Sequence, residues 1–524
     1  MKSPRLAALF GFCILMVGLT RLPFFPPQLY SFDSVNLALA LEHFDPTLHQ
    51  PQPPGYPLFV LEARLLDVLF GSAERTFAAL GLLVSGLAVG MLYLLGKELF
   101  SPWAGMVAAA LLFVNPTFWF SSLTSPLRPH LALVTIVMAY FCWRAKRGDR
   151  GPLYAASLAL GVGGGARPEL FLLLLPLWIW AARETGERQA VVRSALILAG
   201  SALAWTAVLI VASGGPQRMI AYFSDYLLVQ TEHTSIVLDS SSSWRRAAGR
   251  AVIWTGLGAI PWIWALPFGW FGRQQVPQWE RRLLFLTIWF LPAFVFHLGV
   301  HIGDPDHTLV TIPAVALLGG FCLHTARQRI GLRAAGPLVA MVLVGNVLLF
   351  FVQFPFPQGP AEGEFRGLAS VQDAFLGATY ESSYNRVRFV DQRSQSALQG
   401  IADLKSTADR PVLVIWARDG EPVWRKITYY LPGQPVYVLM EKGDPGGPEA
   451  RFYLGSRLVT RYAGQPPFRL PVPKGARLIW VAGGNTVASL HEILPLQSFS
   501  TLYYSDLPAD SPSIQWGSFE LAPE

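Results

Sequence analysis

Residues 32 to 59 read FDSVNLALALEHFDPTLHQPQPPGYPLF, and the reading of this stretch decides what kind of helical protein the chain makes. Asp33 opens an apolar run, SVNLALALEHF, with helical character but too few residues to cross a bilayer, so the pattern predicts a helix lying along a membrane surface. The run behind it, HQPQPPGYPLF, is held extended by prolines that have no N–H to donate, and Gly55 permits a close turn. Two readings stand for each part. Asp33 caps the helix by accepting a free backbone N–H, or it serves as a general base at the water–lipid boundary, where its solvation is limited; one carboxylate can do both. The loop is a structural turn ahead of the next apolar helix, or a rigid display that offers His49, Gln50, Gln52 and Tyr56 to sugar hydroxyls or a phosphate.

Outward from this stretch the chain is apolar in blocks. Of its 524 residues, 52% are hydrophobic and 14% charged, and a mean hydropathy of +0.38 exceeds what a water-soluble core needs, which places the chain among integral membrane proteins. The blocks, roughly 15 to 22 residues each, end at about Phe354. The net charge of +7 does not mark a nucleic-acid binder, because lysines and arginines form short clusters between blocks rather than a stripe along one face. Cys13, Cys142 and Cys322 all lie in apolar segments, against a disulfide framework or a cysteine metal site. Asn115 begins NPT, a sequon spoiled by its proline, and no other Asn begins one, which favours a bacterial source.

The first block, LAALFGFCILMVGL, follows Lys2 and Arg5 and lacks a small-residue cleavage site, so it is expected to remain as an anchor with the N-terminus in the cytoplasm. Further spans are expected near 76–96, 102–120, 130–144, 152–165, 168–182, 195–213, 251–271, 283–300, 309–324 and 335–353, eleven in all. Lys97, Lys146, Arg147, Arg150, Arg183, Arg188, Arg193, Arg273, Arg281, Arg282, Arg327, Arg329 and Arg333 then fall in cytoplasmic loops. The other side receives the loop at about 21–75, SSLTSPLRPH, the ARPE turn, the loop at 214–250, HIGDPDH and the C-terminal tail. The spans at 130–144 and 152–165, and the one after them, are short for a hydrocarbon core of about 30 Å, which suggests a cavity or a thinned membrane on the outer side.

Beyond residue 353 the pattern changes. PVLVIWARD, PVWRKITYYLPG, QPVYVLME, RLIWVAGG and NTVASLHEILPL alternate strand-like runs with short helices, so residues 354–524 are expected to form an extracytoplasmic α/β domain and residues 1–353 the transmembrane domain. No internal repeat is visible, and DSSSSWRR at 239–246 reads as a flexible hinge.

Asp33 in the first outer loop, the short helix behind it and PPGYPLFVLEARLL together resemble the GT-C fold, polyprenyl-phosphate-sugar-dependent membrane glycosyltransferases, among them the protein O-mannosyltransferases and the bacterial aminoarabinose transferases. The resemblance covers the chain to about residue 353. It implies that the first-loop acid, here Asp33, is the catalytic base. The mannosyltransferases carry an Asp-Glu pair at this place, whereas Ser34 follows Asp33 here, against a two-carboxylate or metal-bridged arrangement.

Three further motifs on the expected outer side fit such a site. In SSLTSPLRPHLALV, Arg128 and His130 resemble the RP element of these transferases, and a guanidinium suits bidentate contact with a phosphate; the alternative is an arginine reaching to the headgroup level. In GGGARPELFLLLLP, Arg167 and Glu169 read as an ion pair that fixes a helix turn and borders the site, since paired charges are cheaper to hold in lipid than single ones. In FHLGVHIGDPDHTLV, His301, Asp304, Asp306 and His307 crowd one loop. His307 stands where the resemblance implies a basic contact to the donor phosphate. The alternatives are a divalent metal such as Mn²⁺ or Zn²⁺, and plain solvated loop residues. The loop at 214–250, with Asp225, Tyr226, Glu232, His233 and Asp239, reads as a gate for the acceptor or as a connector.

The expected protein is thus a multi-pass α-helical membrane enzyme of GT-C-like fold in a bacterial inner membrane, with the C-terminal domain outside. It moves a sugar from a polyprenyl-phosphate donor to a hydroxyl of a protein, lipid or glycan acceptor by one inverting displacement, with Asp33 as base, Arg128, His130, His301 and His307 on the donor phosphate, and a divalent metal possible but not required. A transporter or flippase is the competing class, set back by polar residues that gather at one face and by the lack of a repeat; a non-catalytic membrane subunit is the third.

Overall fold

Proline, glycine and alanine decide how the apolar segments fold. The computed structural model describes residues 3–231, 235, 237, 244–352, 379–418, 420–441 and 447–524; Glu232, His233, Asp239 and most of the expected hinge at 239–246 lie outside the described residues. The helical part runs through α1 (Ser3–Arg21), α2 (Phe32–Glu42), α3 (Pro57–Phe70), α4 (Ala73–Leu99), α5 (Pro102–Val114), α6 (Pro116–Thr124), α7 (Pro129–Arg144), α8 (Gly151–Ala166), α9 (Glu169–Thr185), α10 (Arg188–Ala212), α11 (Pro216–Thr231), α12 (Trp244–Gly256), α13 (Leu266–Gly272), α14 (Trp279–Gly299), α15 (Ile312–Ile330) and α16 (Leu332–Phe351), with 3-10 segments at Leu257–Ala265 and Pro305–Val310. Chain contacts divide the protein into two units, Met1–Phe25 with Leu37–Arg386, and Pro26–Asn36 with Val387–Glu524.

Among the described residues six helices are long and apolar enough to cross a membrane, or seven when α5 and α6 count as one bent span. The other four of the expected eleven segments are α7, α8, α9 and α15. The first two have 16 residues each, about 24 Å at 1.5 Å per residue, which makes them the short helices that the apolar blocks predicted. The expected continuous span at 102–120 is broken instead. Pro116 has no N–H to continue the ladder, Asn115 Oδ1 accepts the Phe118 N–H at 3.1 Å, and the two halves meet at 54°. The break frees the Phe113 carbonyl, which takes a hydrogen bond from the fully buried Arg21, whose guanidinium lies 4.4 Å from the Phe113 ring and 4.2 Å from the Trp119 ring. The expected span at 251–271 is one of the six, Ala247–Gln275, its turns passing from α12 through a 3-10 stretch containing Pro261 into α13, while α11 forms inside the expected 214–250 loop.

Lipid tails are as apolar as leucine, so these helices associate by close packing rather than by leaving water. A Cβ on Gly96 would stand 2.7 Å from Gly105 Cα, and one on Gly320 2.5 Å from the Ala104 carbonyl, so α4, α5 and α15 meet backbone to backbone.

The second unit contains most of α17 (Tyr384–Ser406), then β1 (Val412–Trp416), α18 (Trp424–Tyr430), β2 (Pro435–Met440), β3 (Glu449–Leu454), β4 (Arg457–Ala463), β5 (Phe468–Val472), β6 (Arg477–Val481), α19 (Gly484–His491), β7 (Gln497–Phe499), β8 (Leu502–Asp506), β9 (Ile514–Trp516) and β10 (Phe519–Pro523). Seven strands form one mixed sheet in the order β4-β3-β2-β1-β6-β8-β7, and β5-β10-β9 form a second. The central strands β2, β1 and β6 are parallel and buried on both faces, which is why VLVIW and RLIWV read as unbroken apolar runs. Leu413 and Ile415 pack with Leu490 and Phe519 on one face, and Val414 packs with Ala397, Ile401 and Ile427 of α17 and α18 on the other.

Lys426 sits in that second layer, 1% exposed, its Nζ donating to Ser394 Oγ at 2.9 Å. Burial pushes it down to about 8, with Glu421 and Asp391 opposing the shift. At pH 7 both folded and unfolded chains hold the proton, so the burial cost is fully present; between about 8 and 10.5 the unfolded chain holds more protons and stability rises with pH. Replacing both partners, Lys426→Met with Ser394→Ala, is expected to raise the Tm at pH 7 by a margin that shrinks from pH 8 to 10. A lower Tm at pH 7 would show that the hydrogen bond outweighs the burial cost.

Candidate functional site

Asp33 stands half-buried in the first turn of α2. That helix is capped by Ser31, whose hydroxyl accepts the Ser34 N–H at 3.2 Å while Ser34 Oγ accepts the Ser31 N–H at 2.8 Å, a reciprocal box. The carboxylate of Asp33, one residue into the helix, is favoured by the positive end of the helix dipole. Residues Pro26–Asn36 group with the C-terminal unit, so Asp33 belongs to that unit rather than to the helical one.

The other candidates lie in the helical unit, where alternating helix directions bring them to one end. Arg128 precedes α7, Arg167 follows α8, Glu169 opens α9, His301 follows α14, and Asp304, Asp306 and His307 lead into α15. The opposite ends of these helices carry Arg144, Arg150, Arg183, Arg281 and Arg282, and there Arg281 donates to Glu184 and Arg282 to the Leu99 carbonyl, each at 2.6 Å.

Arg128 and Asp306 form a buried ion pair. Arg128 Nε lies 3.3 Å from Asp306 Oδ1, their side chains 8% and 9% exposed, whereas Asp304, 69% exposed, reaches Arg128 Nη2 only at 3.9 Å. A cation at a helix N-terminus opposes the macrodipole, so helix stability does not explain Arg128. His307 Nδ1 lies 3.2 Å from the Asp304 backbone N, 3.1 Å from the Asp304 carbonyl oxygen and 3.8 Å from Asp306 Oδ1; the His301 ring stands edge-on at 5.3 Å. Burial, and then the charge of Arg128, hold His307 well below the usual histidine range. Burial lowers His301 too, with Asp304 opposing and Arg128 adding to the shift. Both rings are therefore neutral at pH 7. A neutral imidazole has one N–H and one acceptor nitrogen, so Nδ1 of His307 either accepts the Asp304 N–H, which leaves Nε2–H as a donor, or donates to the Asp304 carbonyl.

Arg167, also buried, pairs with Glu169 through Nη2 and lies 5.4 Å over the Tyr56 ring. His130 Nε2 stands 3.0 Å from Glu62 Oε2 of α3, its ring edge-on to Phe59. Glu62 escaped the sequence reading; its one signal is a carboxylate inside the apolar run FVLEARLL.

The loop ahead of α3 is a cross-bridged turn. Asp45 and Gln50 exchange backbone hydrogen bonds of 2.6 and 2.9 Å, and His49, in left-handed backbone with φ 56°, places its ring 6.0 Å from Tyr226 of α11. Gln50, Gln52 and Tyr56 are buried, and the Tyr56 hydroxyl donates to the Pro53 carbonyl at 3.4 Å. These three residues thus face the protein interior, where Tyr56 meets Arg167, and only His49 points along the loop toward α11.

Asp304, Asp306 and His307 bring one ligand atom each within 4.8 Å of the others, a set that could hold a metal ion. Arg128 already lies against both carboxylates, so a divalent cation there would meet its charge. Removing one partner of a buried pair leaves the other uncompensated. Asp306→Asn is thus expected to cost about 3 kcal/mol, and Asp304→Asn under about 1 kcal/mol, in denaturant unfolding of the detergent-purified protein. Equal losses would contradict the unequal pairing.

Residues 51–213 match the family model described as dolichyl-phosphate-mannose-protein mannosyltransferase. No curated protein matches the chain by sequence. Among solved structures the chain is similar to ArnT from Cupriavidus metallidurans in its apo state, at 15% identity and a TM-score of 0.60 over 96% of this chain and 98% of that one. It is equally similar to the same protein bound to undecaprenyl phosphate, over 97% and 100%. A more remote likeness, with a TM-score of 0.39 and 12% identity, is to the Archaeoglobus fulgidus oligosaccharyltransferase, covering 79% of this chain and 62% of that one. The expected GT-C-like fold, helical and followed by a strand-containing C-terminal domain, is the fold found.

Proposed function

We propose that the chain is a membrane glycosyltransferase that moves a sugar from a polyprenyl-phosphate donor to an acceptor hydroxyl on the outer face of a bacterial cytoplasmic membrane. The observation that carries this reading is Arg128, a buried guanidinium at the N-terminus of α7 with a weakly held, exposed acid on its Nη2 edge and a neutral histidine beside it. Support comes from the likeness to ArnT, one of whose structures holds undecaprenyl phosphate, and from the mannosyltransferase model over 51–213. The arginines gathered at the opposite helix ends favour the cytoplasm, which supports an outward-facing Arg128 end.

In this reading the donor phosphate replaces Asp304 on Arg128, while Asp306 keeps the guanidinium aligned from its buried side. Asp33 takes the proton of the acceptor hydroxyl as that oxygen attacks the anomeric carbon. The bond from that carbon to the phosphate oxygen breaks, its electron pair leaves with the polyprenyl phosphate, and the configuration inverts. Arg128 and the His307 Nε2–H stabilise the charge that develops on the leaving phosphate. His301, His130 with Glu62, and Arg167 with Glu169 and Tyr56 shape the surroundings of that phosphate and of the sugar. A divalent ion at Asp304, Asp306 and His307 would supply charge neutralisation, which Arg128 already supplies.

With labelled polyprenyl-phosphate sugars and purified protein in lipid, Asp33→Asn is expected to lower transfer about 10²- to 10⁴-fold with donor binding retained, and Arg128→Ala about 10²- to 10³-fold. An active Asp33→Asn protein removes Asp33 as the base. Asp304→Asn is expected to leave donor binding intact or tighter; weakened binding that added Mn²⁺ restores would replace the displaced-carboxylate reading with a metal-bridged one.

A further inference from the structure

We propose that Arg425 of the C-terminal unit is a positioning residue for the catalytic carboxylate, acting through Asn36; this rests on the assignment of Asp33 as the base. Three contacts from α18 bracket Asp33 along the chain. The Leu29 N–H donates to Tyr430 Oη at 2.8 Å, the Phe32 ring meets Trp424 edge-on at 5.6 Å, and Arg425 Nε donates to Asn36 Oδ1 at 2.8 Å. Asn36 follows Asp33 by three residues, so both lie on one side of α2 and turn together when the helix turns. A guanidinium only donates, so the bond fixes which end of the Asn36 amide faces Arg425.

Arg425 is itself held by the sheet. It is 3% exposed and lies 4.8 Å over Trp424 and 5.9 Å over Tyr453, two rings that pack against each other at 4.6 Å, and Tyr453 belongs to β3. A continuous line of contacts therefore runs from β3 through Arg425 and Asn36 to the first turn of α2. The helix does not need it to form, because Ser31 and Ser34 already cap it. Nor does apolar packing need it, since Asn36 is fully buried and a leucine there would pack without the cost of burying an amide. What a directional bond between two buried polar groups adds is the rotational setting of the helix about its axis, and hence the direction of the Asp33 carboxylate.

The test measures kcat, donor KM, the pH profile of kcat and Tm for the full-length protein in lipid. Arg425→Met and Asn36→Leu are each expected to lower kcat about 100-fold, the order of loss that a misplaced reacting group produces, with donor KM nearly unchanged and the acid limb of the profile displaced. Their combination is expected to be no worse than the more damaging single variant, because both cut the same bond. Asn36→Asp keeps an acceptor for Arg425 and is expected to stay within about threefold of the wild-type kcat. Should Arg425→Met not fold, the contrast between Asn36→Leu and Asn36→Asp decides alone. Unchanged kcat in the folded variants, losses that multiply in the double variant, or an Asn36→Asp protein as slow as Asn36→Leu overturns the proposal. Failure of the base assignment is recognised separately: an active Asp33→Asn protein refutes that assignment whatever Arg425 does, and an inactive one beside normal Arg425 variants refutes only the positioning role.

Discussion

A charged guanidinium placed at the apolar end of a helix has to find a partner, and the helical unit is arranged around that need. Arg128 is buried with Asp306, which draws the 3-10 turn at Pro305–Val310 against the start of α7. The same turn seats His307, and the field of Arg128 together with burial keeps that histidine neutral. One ion pair thus sets the place of the cation and the path of the chain into α15. Burying the pair carries a desolvation cost that a hydrophobic pair of similar volume avoids.

Helix direction and helix breakage do the rest of the positioning. Short connections force α7, α8 and α9 to run alternately up and down, so Arg128, Arg167 and Glu169 come to one end without long loops. The bend at Asn115 and Pro116 turns α6 toward the segment that leads into Arg128, and Arg21 satisfies the carbonyl that the break exposes. The first turn of α2, which carries Asp33, belongs to the C-terminal unit.

Much of this was legible in the sequence. Apolar blocks bounded by prolines and arginines located the apolar helices, the short ones included, and VLVIW and RLIWV read as strand-like runs of an α/β domain. The resemblance carried by PPGYPLF pointed to the fold. Hidden were features settled by contacts distant in the chain. NPT is a weak local signal for a 54° bend, and nothing near Asp33 says that Ser31 caps the helix, since both residues can. The neutrality of His307 rests on burial and then on the charge of Arg128, far away in sequence, and the pairing of His130 with Glu62 joins two helices that no spacing rule links. Asn36 reads as one polar residue in an apolar run until Arg425, 389 positions later, is seen to hold it.

The central claim is that the lipid carrier's phosphate is bound by Arg128. An electron-microscopy structure of the protein in lipid with undecaprenyl phosphate tests it most directly. The account expects the phosphorus within hydrogen-bonding reach of the Arg128 guanidinium and His307 Nε2, with Asp304 moved off Nη2 and Asp306 still in place. A phosphate seated elsewhere, with Arg128 and Asp304 still paired, would contradict it.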